Sequence, residues 1–330
     1  MKRLKFFRVA ATIGIAVSMV ALAPLTYSQT YPDKPVTLVI PFPPGGTTDA
    51  FARSMGNALQ GVLKQPFIAD NRVGAAGNIG MGYVARAKPD GYTLVLGTIG
   101  TQVINQYIYK NMPFEPERDL VPIALVATTP NVIAVATTSK IKTLGDLIAA
   151  AEANKEKSMS YASPGIGSSV HLTGALLEQA AGINLLHVPF KGVSGSLPAV
   201  IGGQVDILLD NLPSTLAQVK DGSRLRAIAV TSPQRSPELP DVPTAVESGL
   251  PGLNVQAWFG LYAPRGTPQP IVDKLIEASR LALSSPAVAS AYANLGAQPG
   301  TLFGTDLAAF EKAERARWSA LVKVRDIRAE

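Results

Sequence analysis

Two short stretches of this 330-residue chain set glycine and hydroxyl side chains just ahead of a helical pattern: Gly45-Gly46-Thr47-Thr48 and Gly165-Ile166-Gly167-Ser168-Ser169. A glycine-rich turn feeding a helix leaves the first N–H groups of that helix unpaired and pointing outward. Their partial positive charge adds to the helix dipole and makes an anion site without any cationic side chain. Glycine permits the tight turn and lets a ligand approach the backbone closely. Thr47, Thr48, Ser168 and Ser169 add hydroxyl donors and helix caps. Such turns also occur as plain connections in α/β proteins, so the inference rests on their paired occurrence. Facing each other across a cleft, the two loops would hold both ends of a dicarboxylate, or a carboxylate and a polar group.

A few other side chains join this set. Asp210 follows the strand pattern 205–209 and precedes Asn211. There it either accepts hydrogen bonds from a ligand hydroxyl, ammonium or water, or caps residues 211–218. Asp49 fits a first-turn helix position favoured by the dipole better than a ligand contact. His171 lies one helical turn after Gly167 and either faces the cleft or packs against a carbonyl; His187, in a strand, reads as structural. Trp258-Phe259 either floors the cleft or packs a hinge.

Absences also argue. Two histidines and no cysteine cannot build a common zinc site. No Gly-x-x-x-x-Gly-Lys-Ser/Thr phosphate loop is present. No Gly-x-Ser-x-Gly elbow is present either, although Gly192-Val193-Ser194-Gly195-Ser196 comes near with serine in the last place. An exported serine hydrolase, the alternative from another class, would need Ser168 or Ser169 as nucleophile and His171 as base. Residues two or three apart at a helix start point in different directions, which counts against it. Neither metal nor cofactor is expected.

The elements that must position these residues alternate strand and helix. Strand patterns at 36–40, 92–96, 158–163, 185–188, 205–209 and 226–230 are interleaved with helical patterns at 48–63, 144–153 and 168–181. Residues 123–127 and 131–135 read as two extended pieces joined by Thr128-Thr129-Pro130. Residues 232–251 read as a proline-rich irregular connection, 255–263 as extended, and 268–328 as mostly helical. This alternation predicts an α/β fold of mainly parallel sheets with helices on both faces. The strand–loop–helix unit at 36–63 recurs at 158–181, which suits one unit per lobe. Crossings near 128–131 and 256–262 would give a lobe of residues 29–128 plus 257–330 and a second of 129–256, joined by two hinges.

The N-terminus holds Lys2, Arg3, Lys5 and Arg8, then an uncharged apolar run over residues 9–23. That is the layout of a secretory signal peptide, residues 1–28, with cleavage expected before Gln29. The run is shorter than the roughly 20 apolar residues of a membrane span. Removing those four cations lowers the net charge from +6 to +2. A mature chain near +2 without a Lys/Arg cluster gives no footprint for nucleic acid or a membrane surface. A periplasmic monomer is expected.

Longer motifs extend the argument. They include Pro41-Phe42-Pro43-Pro44-Gly45-Gly46-Thr47-Thr48-Asp49, Asn71-Arg72-Val73-Gly74-Ala75-Ala76-Gly77-Asn78 and Pro89-Asp90-Gly91-Tyr92-Thr93-Leu94. Further along stand Tyr161-Ala162-Ser163-Pro164-Gly165-Ile166-Gly167-Ser168-Ser169-Val170-His171, His187-Val188-Pro189-Phe190-Lys191-Gly192 and Ala263-Pro264-Arg265-Gly266-Thr267-Pro268. Together they resemble the periplasmic substrate-binding receptors of tripartite tricarboxylate transporters, also called Bug receptors, over essentially the whole mature chain. The resemblance implies a two-lobe Venus-flytrap fold of the type II kind with two crossings. It implies a small organic carboxylate held by backbone amides, and delivery to membrane transporter subunits; a sensor feeding a signalling kinase is the alternative within the same binding class. From the first lobe it implies Phe42, Pro44, Gly45, Gly46, Thr47 and Thr48 as ligand contacts, with Ala76 and Gly77. From the second it implies Ser163, Gly165, Ile166, Gly167, Ser168, Ser169 and Asp210. Ala162 and Pro164 stand where relatives often carry glycine or serine.

Overall fold

Strand β1 (Val36–Ile40) is an apolar, almost wholly buried run that leads into helix α1 (Thr47–Leu63). The computed structural model describes residues 31–153 and 158–329; the expected signal peptide lies outside the described residues. β2 (Phe67–Asn71), α2 (Asn78–Ala85), β3 (Thr93–Thr98) and the short helices α3 (Asn105–Ile108) and α4 (Pro116–Asp119) follow. The 17-residue β4 (Leu120–Ala136) carries the chain onward. Next come α5 (Leu144–Ala153), β5 (Met159–Ser163), α6 (Ser169–Ala181), β6 (Leu185–Pro189), α7 (Val193–Ile201), β7 (Ile207–Asn211), α8 (Leu212–Asp221) and β8 (Leu225–Val230). The chain returns through β9 (Gln256–Pro264) to α9 (Gln269–Leu283), α10 (Pro286–Ala293), the two-residue β10 (Gln298–Pro299) and α11 (Thr305–Val324).

The strands form two lobes that share β4. β1 runs parallel to β2 and β3, and β9 is inserted antiparallel between β3 and β4. In the other lobe β5 runs parallel to β6 and β7, and β4 pairs antiparallel with β7 and β8. Where the sequence predicts two extended pieces with a break at 128–130, the structure has one continuous strand. Its partner changes there: Pro130 is the last residue opposite β9 and Asn131 the first opposite β7. Proline cannot donate to a ladder, so a changeover point is where a strand tolerates it.

Each lobe has helices on both faces, as the alternation requires. α1, α9 and α10 cover one face of the first sheet, α2, α3 and α11 the other. α1 buries Thr48, Phe51, Ala52, Met55 and Leu59, the stripe of an amphipathic helix. In the second lobe β4 alternates strictly: Ile133 and Val135 pack with α5 and α6, whereas Val132 and Ala134 pack with α7 and α8.

A buried polar network holds the crossing. Asn131 N–H donates to Thr231 Oγ1 at 3.0 Å and Asn131 Nδ2 to Thr173 Oγ1 at 2.6 Å. Asn211 Nδ2 donates to Asn131 Oδ1, and Thr231 Oγ1 to the Val255 carbonyl. Behind β9, Glu314 Oε2 accepts from Trp258 Nε1 and Trp318 Nε1, pinning α11 to that strand.

Candidate functional site

Every parallel strand of both lobes ends, at its carboxyl end, in a turn that starts a helix, and those turns converge. A cavity of about 90 Å³ lies among them; one water needs about 10–15 Å³, so it takes several waters or one compact ligand. From the first lobe its wall takes Phe42, Pro43, Pro44, Gly46, Thr47 and Thr48 after β1, Ala76 after β2, and Thr98 at the end of β3 with Ile99 and Gly100 beyond it. From the second it takes Pro164 to Ser169 after β5, Gly192, Val193 and Ser194 after β6, and Asp210 and Asn211 at the end of β7 with Ser214 beyond it. Ala257, Trp258 and Phe259 of β9 close it. Open α/β sheets bind ligands at this end of their strands.

The electrostatics follow from the backbone. None of these wall residues carries a cationic side chain. The positive ends of α1, α6, α7 and α8 all face the cavity, and their first-turn N–H groups lack intrahelical acceptors. At α1 the first helical bond runs from Ala50 N–H to Gly46 O, so the amides of Thr47, Thr48 and Asp49 lie ahead of the ladder. Gly46 is the N-cap and has no side-chain cap. Two wall atoms are buried without a partner: Thr47 Oγ1 and Asp210 Oδ2.

The first-lobe loop is held from behind. Asp49 accepts from the Gly45 N–H at 3.1 Å, from Arg53 Nε at 2.9 Å and from Asn71 Nδ2 at 3.0 Å. Burial opposes its ionisation, yet the bonds from Arg53, Asn71 and Gly45 hold the carboxyl below the usual range. Asn71 Nδ2 also donates to Phe42 O. Beside it, Gly74, Ala75, Ala76 and Gly77 all have positive φ. For the two alanines this conformation costs about 1–3 kcal/mol each. Asn105 Nδ2 holds the turn by donating to Ala76 O and to Asn78 Oδ1.

The second-lobe loop is held by a stack of rings. Ser168 Oγ caps α6 by accepting from the His171 N–H and donates to Gly165 O at 2.7 Å. Gly167 N–H donates to His171 Nδ1, so that ring is neutral with its hydrogen on Nε2. The His171 ring stacks on His187 with centroids 4.0 Å apart, and His187 stacks on Tyr161. Ser163 Oγ lies 2.6 Å from His187 Nε2.

Of the sixteen candidate contacts, four are not brought to the cavity wall. The Gly45 N–H is turned to Asp49. Gly77 is wedged between Thr101 and Phe42. Ser163 is turned to His187 and Gly165. His171 Nδ1 is taken by the Gly167 N–H, while Ser168 Oγ donates to Gly165 O and Ser169 Oγ accepts from Asn211 Nδ2, so neither serine has that imidazole as a base. Asp210 is not a helix cap; Asn211 occupies that place. Trp258 both lines the cavity and packs against α11. The wall residues of Gly192-Val193-Ser194 escaped the sequence reading although they repeat the glycine-hydroxyl turn after a strand. Thr98-Ile99-Gly100 carries no such signal.

The histidine stack predicts acid lability. Burial lowers His171 to about 4; burial and then His171 lower His187 to about 3. Both are depressed below the unfolded value of about 6.5, so the unfolded chain binds more protons between those limits. Stability is therefore full above pH 6.5 and is lost as pH falls toward 4. His171 alone accounts for about 2 kcal/mol at pH 5. Urea unfolding at pH 7.5 and pH 5 checks this, and His187→Gln should about halve the difference, leaving the share of His171.

The chain matches the family described as "Tripartite tricarboxylate transporter family receptor" over residues 51–327. It is 34% identical to Protein BugT of Bordetella pertussis (strain Tohama I) over 317 residues, 96% of this chain and 97% of that one. Among solved structures it is similar to R. palustris Rpa4515 with adipate, with 35% identity and a TM-score of 0.85 over 90% of this chain and 99% of that one. It is also similar to MatC from Rhodopseudomonas palustris with bound malate, with 34% identity and a TM-score of 0.82 over 88% and 100%.

Proposed function

We propose that this chain, which belongs to the tripartite tricarboxylate transporter receptor family, is an exported periplasmic receptor that closes two lobes around a small organic carboxylate and hands it to the membrane subunits of a transporter. The observation that carries the reading is a ligand-sized cavity surrounded by helix N-termini, with no cationic side chain in its wall. Backbone amides and dipoles of that kind recognise carboxylates. The two similar structures with adipate and malate bound agree with it.

In this reading the lobes are residues 29–128 plus 257–330, and 129–256. The partner change at Pro130 and Asn131 and the buried network around Asn131 support that division. The ligand contacts are the amides and hydroxyls of Gly46, Thr47 and Thr48, the stretch Gly165 to Ser169, Gly192 to Ser194, and Asp210. Gly45, Gly77, Ser163 and His171 act from behind, by fixing the loops. Closure is a population shift: the ligand touches both lobes only when they meet, so it stabilises the closed form by its differential contacts. No bond is made or broken, and the protein works as a monomer. The leader, residues 1–28, is removed on export.

Thermal melting of the refolded mature protein against mono-, di- and tricarboxylates tests this. An acid present at about 100 times its Kd adds roughly 2.7 kcal/mol, a shift of several degrees for a chain of this size. A panel that leaves the melting temperature unmoved overturns the carboxylate reading.

A further inference from the structure

Resting on the receptor reading above, we propose that the cleft binds a dicarboxylate together with one proton, which Asp210 carries on Oδ2 and donates to a carboxylate of the ligand.

The geometry begins with the two oxygens of one side chain. Asp210 is 2% exposed, next to last in β7. Its Oδ1 accepts the Asn211 N–H at 2.7 Å. Its Oδ2 is buried, has no partner and belongs to a residue of the cavity wall. A buried carboxylate without a cation is costly, and the neutral acid is the usual resolution.

The elements packed on β7 supply no such cation. β4 sets Val132 opposite Asp210. Asn211, the N-cap of α8, and Ser214 of α8 line the cavity, as does Ser169 of α6. α7 has no titratable residue along its length. β5 contributes Tyr161, whose phenol burial pushes well above its ordinary value. His171 on α6 is neutral, its Nδ1 taken by the Gly167 N–H. Of the remaining charged groups on these helices, Glu178 on α6 is paired with Arg325 and Lys220 on α8 with Glu238. Lys220 and Asp221 lie at the far end of α8, away from the cleft. Across the cavity Asp49 is paired with Arg53. Burial accordingly raises the Asp210 carboxyl to about 7, with the Asn211 N–H and the nearby Ser214 hydroxyl offsetting only part of the effect.

A ligand carboxylate beside Oδ2 strengthens the same bias. Two like charges that close in a dry site cannot both stay ionised, so one proton is retained between them. The acid then donates a charge-assisted O–H···O hydrogen bond, among the stronger kinds. The converse arrangement, an ionised Asp210 accepting from a ligand ammonium, places that ammonium among the positive ends of four helices.

The test is calorimetric titration of the refolded mature protein with succinate, malate and adipate from pH 6.5 to 9, in pairs of buffers with different ionisation heats. We expect one proton taken up per ligand at the alkaline end. Apparent affinity should be on the order of 100-fold weaker at pH 9 than at pH 6.5. Asp210→Asn keeps the acceptor for the Asn211 N–H and sets an amide donor at the position of Oδ2. It should bind without proton uptake and with one affinity across the range. Binding of these acids with no uptake at pH 9, or affinity that rises with pH, overturns the proposal and leaves the receptor reading intact. So does loss of binding at every pH in an Asp210→Asn protein that melts like the parent. If none of the three acids binds at any pH, the carboxylate reading fails and this proposal fails with it.

Discussion

Replacing Gly46 with aspartate should weaken carboxylate binding several hundred-fold while leaving the melting temperature of the ligand-free protein unchanged or slightly higher. Gly46 has φ −86° and ψ 173°, a conformation open to any residue. A Cβ added there meets only the Pro43 carbonyl, at 3.7 Å. The turn itself is therefore not strained by the change. The position is an N-cap without a side-chain acceptor, and aspartate is among the best residues for that role. The loss falls on the ligand. A fixed carboxylate about 4–5 Å from the bound one costs about 3–4 kcal/mol at an effective dielectric near 20, and each 1.4 kcal/mol is tenfold in affinity. Gly46→Ser, a neutral cap, should stay within about tenfold of the parent. Calorimetry and melting curves on both variants decide it; parental affinity in the aspartate variant removes this loop from the anion site.

Gly100→Ala should lower affinity with almost no effect on the ligand-free protein. A methyl group there would stand 2.7 Å from the Gly167 carbonyl oxygen. Gly100 follows β3 of the first lobe, and Gly167 precedes α6 of the second. Gly100 is not among the positive-φ residues, so the backbone alone does not require glycine. What excludes the methyl is the meeting of the two lobes. Overpacking at such a contact costs about 1–3 kcal/mol, and here it applies only to the closed form. Affinity should drop by about five- to 150-fold, and X-ray scattering at saturating ligand should show a more open molecule than the parent. A melting temperature that falls as much without ligand as with it would mean that the two loops touch in every state.

Much of this was legible in the sequence because backbone sites announce themselves through residues with no side chain to offer. The glycines at 45–46 and 165–167, each following a strand pattern, located two of the converging turns and the helices they start. The third, at 192–194, repeats the same code but was hidden behind a resemblance to a nucleophile elbow. Thr98 to Gly100 was not readable: its place in the wall depends on the second lobe closing over it. Asp49, His171 and Asp210 show the limit more sharply. Each is a polar residue at or just past a strand-to-helix turn, and local sequence does not say which way each side chain faces. Asp49 and His171 turn back to fix their loops, whereas Asp210, in the cavity wall, keeps one buried oxygen without a partner. The continuity of β4 through Pro130 was likewise set by a change of partner that no local pattern encodes.

The insertion of β9 between β3 and β4 also sets an order of assembly. The second lobe draws its sheet from one unbroken run of chain and can complete it as soon as β8 has emerged. The first lobe cannot, because its missing inner strand comes more than a hundred residues after β4. Until then β3 and β4 present open edges, the kind of surface on which strands from other chains add. Long-range pairings of this sort are slow to form. The period of greatest danger for this polypeptide is thus the interval between the emergence of β4 and that of β9, and a chaperone that shields sheet edges would be of most use then.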